Sequence, residues 1–147
     1  MKIYFDHEKL DVYREAINFC AWLGKFLAAI SAKAAAKDQL DRASTSIPLN
    51  IAEGNGKFSP NDRARFFEIA RGSALESAAA LDVLVARGFA TREEITSAKD
   101  GLVRIVEMLV GLLRRFSPHG DVLREDEASY PSQTDYEHEQ EHEHELK

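Results

Sequence analysis

Apolar residues recur every three or four positions along most of the chain up to Pro118, with polar residues between them. A repeat of this period predicts amphipathic helices, and no alternation of period two suggests a strand. Four segments emerge. The first spans about 7 to 32, with Asp6 as its N-cap. The second spans about 35 to 54 and stops at Gly54-Asn55-Gly56, residues that readily take the left-handed conformation that ends a helix. The third starts with Ser59 as cap, Pro60 at the first helical position and Asp62 in the first turn, and ends at Arg87-Gly88. The fourth opens on Thr91-Arg92-Glu93-Glu94, a capping box, and closes on Arg114-Arg115 ahead of Pro118. Links of a few residues make consecutive helices antiparallel. The expected fold class is all-α, an antiparallel four-helix bundle over residues 6–118.

Helical wheels show where the apolar surface lies. On the first helix Tyr13, Ala16, Ile17, Cys20, Leu23, Leu27 and Ile30 form one stripe, which Phe19, Trp22 and Phe26 widen. On the fourth, Leu102, Ile105, Val106, Leu109, Leu112, Leu113 and Phe116 form the main face, with Val103, Met108 and Val110 beside it. Two such wide faces exceed what three partner helices need to cover. The excess predicts a homo-oligomer interface made by Phe19, Trp22, Phe26, Val103, Met108 and Val110. The alternative is that a compact bundle buries both faces itself.

The two middle helices carry a different signature. The third holds Gly72-Ser73-Ala74 and Ser77-Ala78-Ala79-Ala80, small residues that imply close packing. The second contains Ser44-Thr45-Ser46-Ile47-Pro48. Pro48 inside a helix frees the carbonyl of Ser44, and the neighbouring hydroxyls are candidates to bond freed backbone groups. A polar line at Arg42, Ser46, Asn50 and Glu53 follows the same helix. A hairpin turning near residue 57 sets Ser46 level with about Glu68 and Arg42 with about Arg71, which predicts an Arg42–Glu68 ion pair. This line is either a ligand site or a network that fixes register between two helices; the second reading is preferred.

Charge divides the chain. Up to Pro118 there are 17 Lys and Arg against 15 Asp and Glu; beyond it there are 2 against 10. The bundle is thus +2 and the remainder −8. Residues 119–147 end in a run of Glu and His with too little apolar surface to offset ordering entropy, so a disordered acidic tail is expected. Cys20 is the one cysteine, which rules out an internal disulfide and suits a reducing compartment. The opening Met1-Lys2-Ile3-Tyr4 lacks a basic segment followed by an apolar run, so no signal peptide is expected. No apolar stretch is long enough to span a membrane, and the expected location is cytoplasmic.

Little chemistry stands out. His138-Glu139-Gln140-Glu141-His142 matches a zinc-protease pattern, but that reaction needs both imidazoles on a buried helix with a third ligand. In a Glu/His-rich tail the pattern arises easily, and it leaves only His138, His142 and His144 as weak metal candidates. The bundle's sole histidine is His7, which excludes a carboxylate–histidine di-iron centre. Cys20 has no histidine placed to activate it. Arg104, Arg114 and Arg115 offer a basic edge, more simply read as a solvated face that complements a helix C-terminus. No catalytic residues and no cofactor are expected.

The run Arg42-Ala43-Ser44-Thr45-Ser46-Ile47-Pro48-Leu49-Asn50-Ile51-Ala52-Glu53-Gly54, followed by Ile69-Ala70-Arg71-Gly72-Ser73-Ala74-Leu75-Glu76, resembles the four-helix-bundle family of proteins encoded in intervening sequences of bacterial 23S ribosomal RNA genes. Accessory proteins of diversity-generating retroelements share that fold. Leu10-Asp11-Val12-Tyr13 and the turn Arg87-Gly88-Phe89 fit as well. The resemblance covers about residues 5 to 117. It implies an up-down-up-down bundle, a ring-like homopentamer, no enzymatic activity, and partners such as RNA, DNA or a reverse-transcriptase-like protein. Its motif positions fall on Arg42, Ser46, Pro48, Asn50, Glu53, Gly54, Arg71, Gly72 and Glu76, joined by Glu68 from the ion-pair reading. The near-neutral bundle departs from the basic relatives and lowers the expectation of strong nonspecific nucleic-acid binding. Two functions follow: a self-assembling adaptor associated with nucleic acid, or a protein-binding module that never touches it.

Overall fold

The computed structural model describes residues 2–116, and the expectations for the tail and its histidines lie outside them. Among the described residues there are four α-helices and no strand: α1 Asp11–Ala28, α2 Ala35–Gly56, α3 Pro60–Ala86 and α4 Arg92–Phe116, preceded by a 3-10 turn at Asp6–Lys9. Each helix packs against its two sequence or ring neighbours, α1 on α2 and α4, and α3 on α2 and α4. The backbones of diagonal helices do not approach closely, so the order is up-down-up-down. No helix is long and apolar enough to cross a membrane among the described residues.

Local signals set several boundaries. The Ser59 hydroxyl accepts a hydrogen bond from the Asp62 amide at 3.0 Å, with Pro60 in the first turn. Thr91 Oγ1 accepts from the Glu94 amide at 3.3 Å while Glu94 Oε1 accepts from the Thr91 amide at 3.2 Å, a reciprocal capping box. The α3 C-terminus closes with Gly88 at φ +80°; the Phe89 amide donates to the Leu84 carbonyl and the Gly88 amide to Val85. That pair of bonds satisfies two terminal carbonyls at once.

The N-terminal boundary differs from the sequence reading. Asp6 opens a separate 3-10 turn, and Leu10 is extended at φ −75° and ψ 127°, so α1 begins only at Asp11. Tertiary contact explains the break: Asn55 on α2 donates to Asp6 Oδ2 at 3.1 Å and holds the turn across the end of the bundle. The Arg14 side chain then takes up the carbonyls of Glu8 and Lys9. The other end of α1 stops at Ala28, and Lys37 from α2 donates to the Ile30 carbonyl beyond it.

The buried face of α1 is Val12, Ala16, Phe19, Leu23, Phe26 and Leu27, followed by Ile30. These lie at the three- and four-residue spacing that faces α2 and α4 together. Ile17, assigned to the main stripe by the wheel, is 43% exposed. Phe19 and Phe26 belong to the core of a single chain at 5% and 9% exposure, which corrects their assignment to an intermolecular face. Trp22, Met108 and Val110 are half-buried, the first two packed against that core; of the six interface candidates only Val103 is well exposed.

Candidate functional site

The α2–α3 contact is the most extensive in the bundle, and small residues make it so. Ala70, Ser73, Ala74, Ser77 and Ala80 are buried on α3, as are Ala43, Ser44, Ile47 and Ile51 on α2. Gly72 is not part of this stripe: it is exposed, and a Cβ there meets nothing within 4 Å. Close approach is enforced instead at Gly54, where a Cβ would lie 2.9 Å from Phe67 Cε1 and 3.1 Å from Phe66 Cβ. Gly54 sits in a helix with no positive φ, so the sequence reading of a left-handed stop is corrected; α2 continues to Gly56 and ends at extended Lys57. The glycine is there for space.

The later end of α2 shifts the register. The Ser73 hydroxyl donates to Ser46 Oγ at 2.8 Å, so Ser46 lies level with Ser73 and not with Glu68. Asn50 Nδ2 donates to Ser46 O at 2.8 Å and to Ser46 Oγ at 2.9 Å, and Ser77 Oγ donates to Ser73 O. The shift undoes the Arg42–Glu68 pair: Glu68 binds Arg71 on its own helix at 3.0 Å. Arg42, Glu53 and Glu76 remain on the exposed side of the two helices. Pro48 frees the Ser44 carbonyl as expected, but its partner is the Cys20 thiol of α1 at 3.4 Å. The Ser44 and Thr45 hydroxyls both donate to the Asp41 carbonyl. Burial, with the charge of Asp41 adding to it, raises the Cys20 pKa, so the thiol stays protonated and serves as a donor. Ser46, Pro48, Asn50 and Gly54 thus set helix register, and their polar atoms are spent on one another.

A second cluster gathers at the end of the bundle where α2 meets α3 and α4 finishes. Segments 54–67 and 108–116 contribute Lys57, Arg63, Arg65, Arg114 and Arg115 and the carboxylate of Asp62, and Asp6 adds a second carboxylate within electrostatic reach of Arg63. Aromatic rings organise the cations. Lys57 and Arg65 lie over Phe66 at 5.0 and 5.2 Å, and Arg63 and Arg115 over Phe116 at 5.1 and 5.2 Å. Phe116 in turn packs on buried Phe67, with centroids 6.1 Å apart. Arg63 Nε also donates to the Lys57 carbonyl at 2.7 Å, tying the α2–α3 link to the α4 terminus. Phe58 is fully exposed at the tip. Asp6 borders the cluster, its carboxyl held below the usual range by the Asn55 hydrogen bond and by Lys9. Sequence reasoning found Arg114 and Arg115 but grouped them with Arg104, which instead pairs with Glu15 between α4 and α1 at 3.3 Å. The missed signal is the recurrence of Lys or Arg beside Phe at 57–58, 65–66 and 115–116.

Two clefts flank α1. One of about 390 Å³ is lined by Asp11, Arg14, Glu15, Asn18, Arg104 and Glu107 with Met108. Its charges largely neutralise each other through the Arg14–Asp11 and Arg104–Glu15 pairs. The other, about 430 Å³, lies between the N-terminal segment and Tyr13, Arg14, Ile17 and Asn18. Neither joins a nucleophile to a base. Among the described residues no three His, Cys, Asp or Glu side chains come together to hold a metal ion.

In sequence the chain matches the 23S rRNA-intervening sequence protein family over residues 8–111. In structure it is similar to a crystal structure of a protein of unknown function from the S23 ribosomal protein family of Bacteroides thetaiotaomicron. The TM-score is 0.65 at 23% identity, covering 69% of this chain and 97% of that one. No curated protein matches the chain in sequence.

Proposed function

The chain belongs to the 23S rRNA-intervening sequence protein family, and from that premise we propose that it is a non-enzymatic helical adaptor. Its basic, aromatic end holds the phosphate backbone of a single-stranded nucleic acid. The observation that carries this reading is the seating of Lys57, Arg63, Arg65 and Arg115 on the rings of Phe66 and Phe116, with Arg114 next in the chain, the exposed Phe58 at the tip, and only Asp62 and Asp6 as carboxylates. Cations along a backbone supply affinity, and the exposed Phe58 ring supplies stacking for a base of any identity. The family's name ties its genes to ribosomal RNA loci, which fits an RNA-proximal role. The near-neutral net charge of the bundle does not oppose it, because the cations are concentrated at one end while the opposite end carries Asp82, Glu93, Glu94 and Asp100 among its lysines and arginines.

The test is a salt titration of oligouridylate binding to the full chain. Five phosphate contacts on a single strand give a slope of log affinity against log salt of about −3.5, flatter where another polyanion competes for the same cations. A slope near zero, or no binding at about 50 mM salt, overturns the reading and leaves the protein-binding module as its successor.

Self-association belongs to the same proposal on narrower grounds. With Phe19 and Phe26 inside the monomer, the well-exposed apolar groups on α1 and α4 are Ile17 at 43% and Val103 at 55% exposure, with half-buried Trp22, Met108 and Val110 to extend the face. The ring-like pentamer implied by the resemblance supplies the stoichiometry. Light scattering at micromolar concentration is expected to give a mass several times the 16.5 kDa of the chain; a monomeric mass removes this part and leaves the nucleic-acid reading standing.

A further inference from the structure

α4 ends at Phe116, inside the basic cluster. We infer that the acidic segment 119–147 is an internal ligand of this end, seated on Lys57, Arg65 and Arg115 and displaced by an external polyanion. Three observations converge. The segment holds ten carboxylates and two cations, and its last eleven residues alternate Glu with His and Gln before Leu146-Lys147. The end of the bundle where α4 finishes holds five cations against two carboxylates, Asp62 and Asp6. Reach is ample: 31 residues span up to about 100 Å extended, whereas a bundle end two helices wide is roughly 20 Å across. Tethering at Phe116 gives the segment an effective concentration on the order of millimolar at this surface.

Charge direction favours this surface over the rest of the bundle. The α1–α4 cleft already pairs Arg104 with Glu15 and Arg14 with Asp11. On the far end Lys99 is paired with Asp82 at 2.7 Å. Arg65 and Arg115 at the basic end instead face aromatic rings, which leave their charge uncancelled. A polycarboxylate and a phosphate backbone compete for the same groups. The contact with the tail does not require the nucleic-acid reading; only its role as a competitor rests on that reading.

The contact is tested in the full chain with a nitroxide at Ser132→Cys in a Cys20→Ser background. At about 50 mM salt, paramagnetic broadening is expected on the amides of Lys57, Arg65 and Arg115 and not at Ala29 to Lys33; at about 500 mM it is expected to fade, because screening shortens the reach of exposed charges. Broadening that is absent, falls elsewhere or persists unchanged in high salt overturns the proposal. The competition is tested by changing Glu137, Glu139, Glu141, Glu143 and Glu145 to Gln, which is expected to tighten oligouridylate binding roughly tenfold at low salt and hardly at all at high salt. Unchanged affinity alongside a mobile label rejects the internal ligand. Broadening at the basic end with no oligonucleotide bound by either chain upholds the tail contact and rejects the nucleic-acid reading.

Discussion

Replacing Phe67 by alanine is expected to lower the unfolding free energy by about 3 to 5 kcal/mol. The side chain is 1% exposed and fills the end of the core between α2, α3 and the Phe116 ring of α4. Removing it takes away apolar burial and leaves a cavity against Gly54, where no side chain can relax inward. The reciprocal change sharpens the argument. Gly54→Ala adds a favourable helix residue but places its Cβ 2.9 Å from Phe67 Cε1, so alone it should cost about 1 to 3 kcal/mol from overpacking. In a Phe67→Ala background the ring is gone and only the 3.1 Å approach to Phe66 Cβ remains, so the same Gly54→Ala should cost much less or turn favourable. A double-mutant cycle followed by urea unfolding should therefore show a coupling of about 1 kcal/mol or more. Additive costs would mean that the two helices separate easily here, and that Gly54 is not a spacing device.

That pair also shows what the sequence displays and what it conceals. Helix starts at Ser59 and Thr91 and the Gly88 stop are legible because each is a contract among residues three to five apart. The alternation of faces on α4 is legible for the same reason: its core positions Leu102, Ile105, Leu109 and Leu113 repeat locally. Gly54 reads equally well as a stop or as a spacer until Phe67 is placed beside it. Pro48 announces a free carbonyl at Ser44, but only the packing of α1 brings Cys20 to it. A register error of a few residues at the α2–α3 turn carries Ser46 from Glu68 to Ser73 and removes the expected ion pair. Phe19 and Phe26 mislead because a wheel shows how wide an apolar face is, not how deeply two neighbours enclose it. The basic end is the least legible feature, since Lys57 and Arg115 lie far apart in sequence and share one surface only through the meeting of Phe66, Phe67 and Phe116.

The same distance in sequence lets the proposed interface be dissected without disturbing the fold. Arg65 and Arg115 are exposed and each is held by a ring, Phe66 or Phe116. Changing both to Gln forfeits two surface cation–π contacts, about 0.5 to 1 kcal/mol each at exposed sites, so the bundle should stay folded. Arg63 is left intact because its bond to the Lys57 carbonyl and its seat on Phe116 hold the end together. Oligouridylate affinity at low salt should fall on the order of tenfold or more, and the salt slope should flatten by about 1.4, since each cation lost is a counterion no longer released. Phe58→Ala, at a fully exposed ring, should act through the other half of the interface: affinity falls by about 1 kcal/mol or more through lost stacking while the slope stays put. The two variants therefore separate charge from stacking by different readouts of one titration. If the double Gln variant keeps both affinity and slope, phosphate is not what these arginines hold, and the grouping of cations at this end stabilises the bundle without serving a nucleic acid.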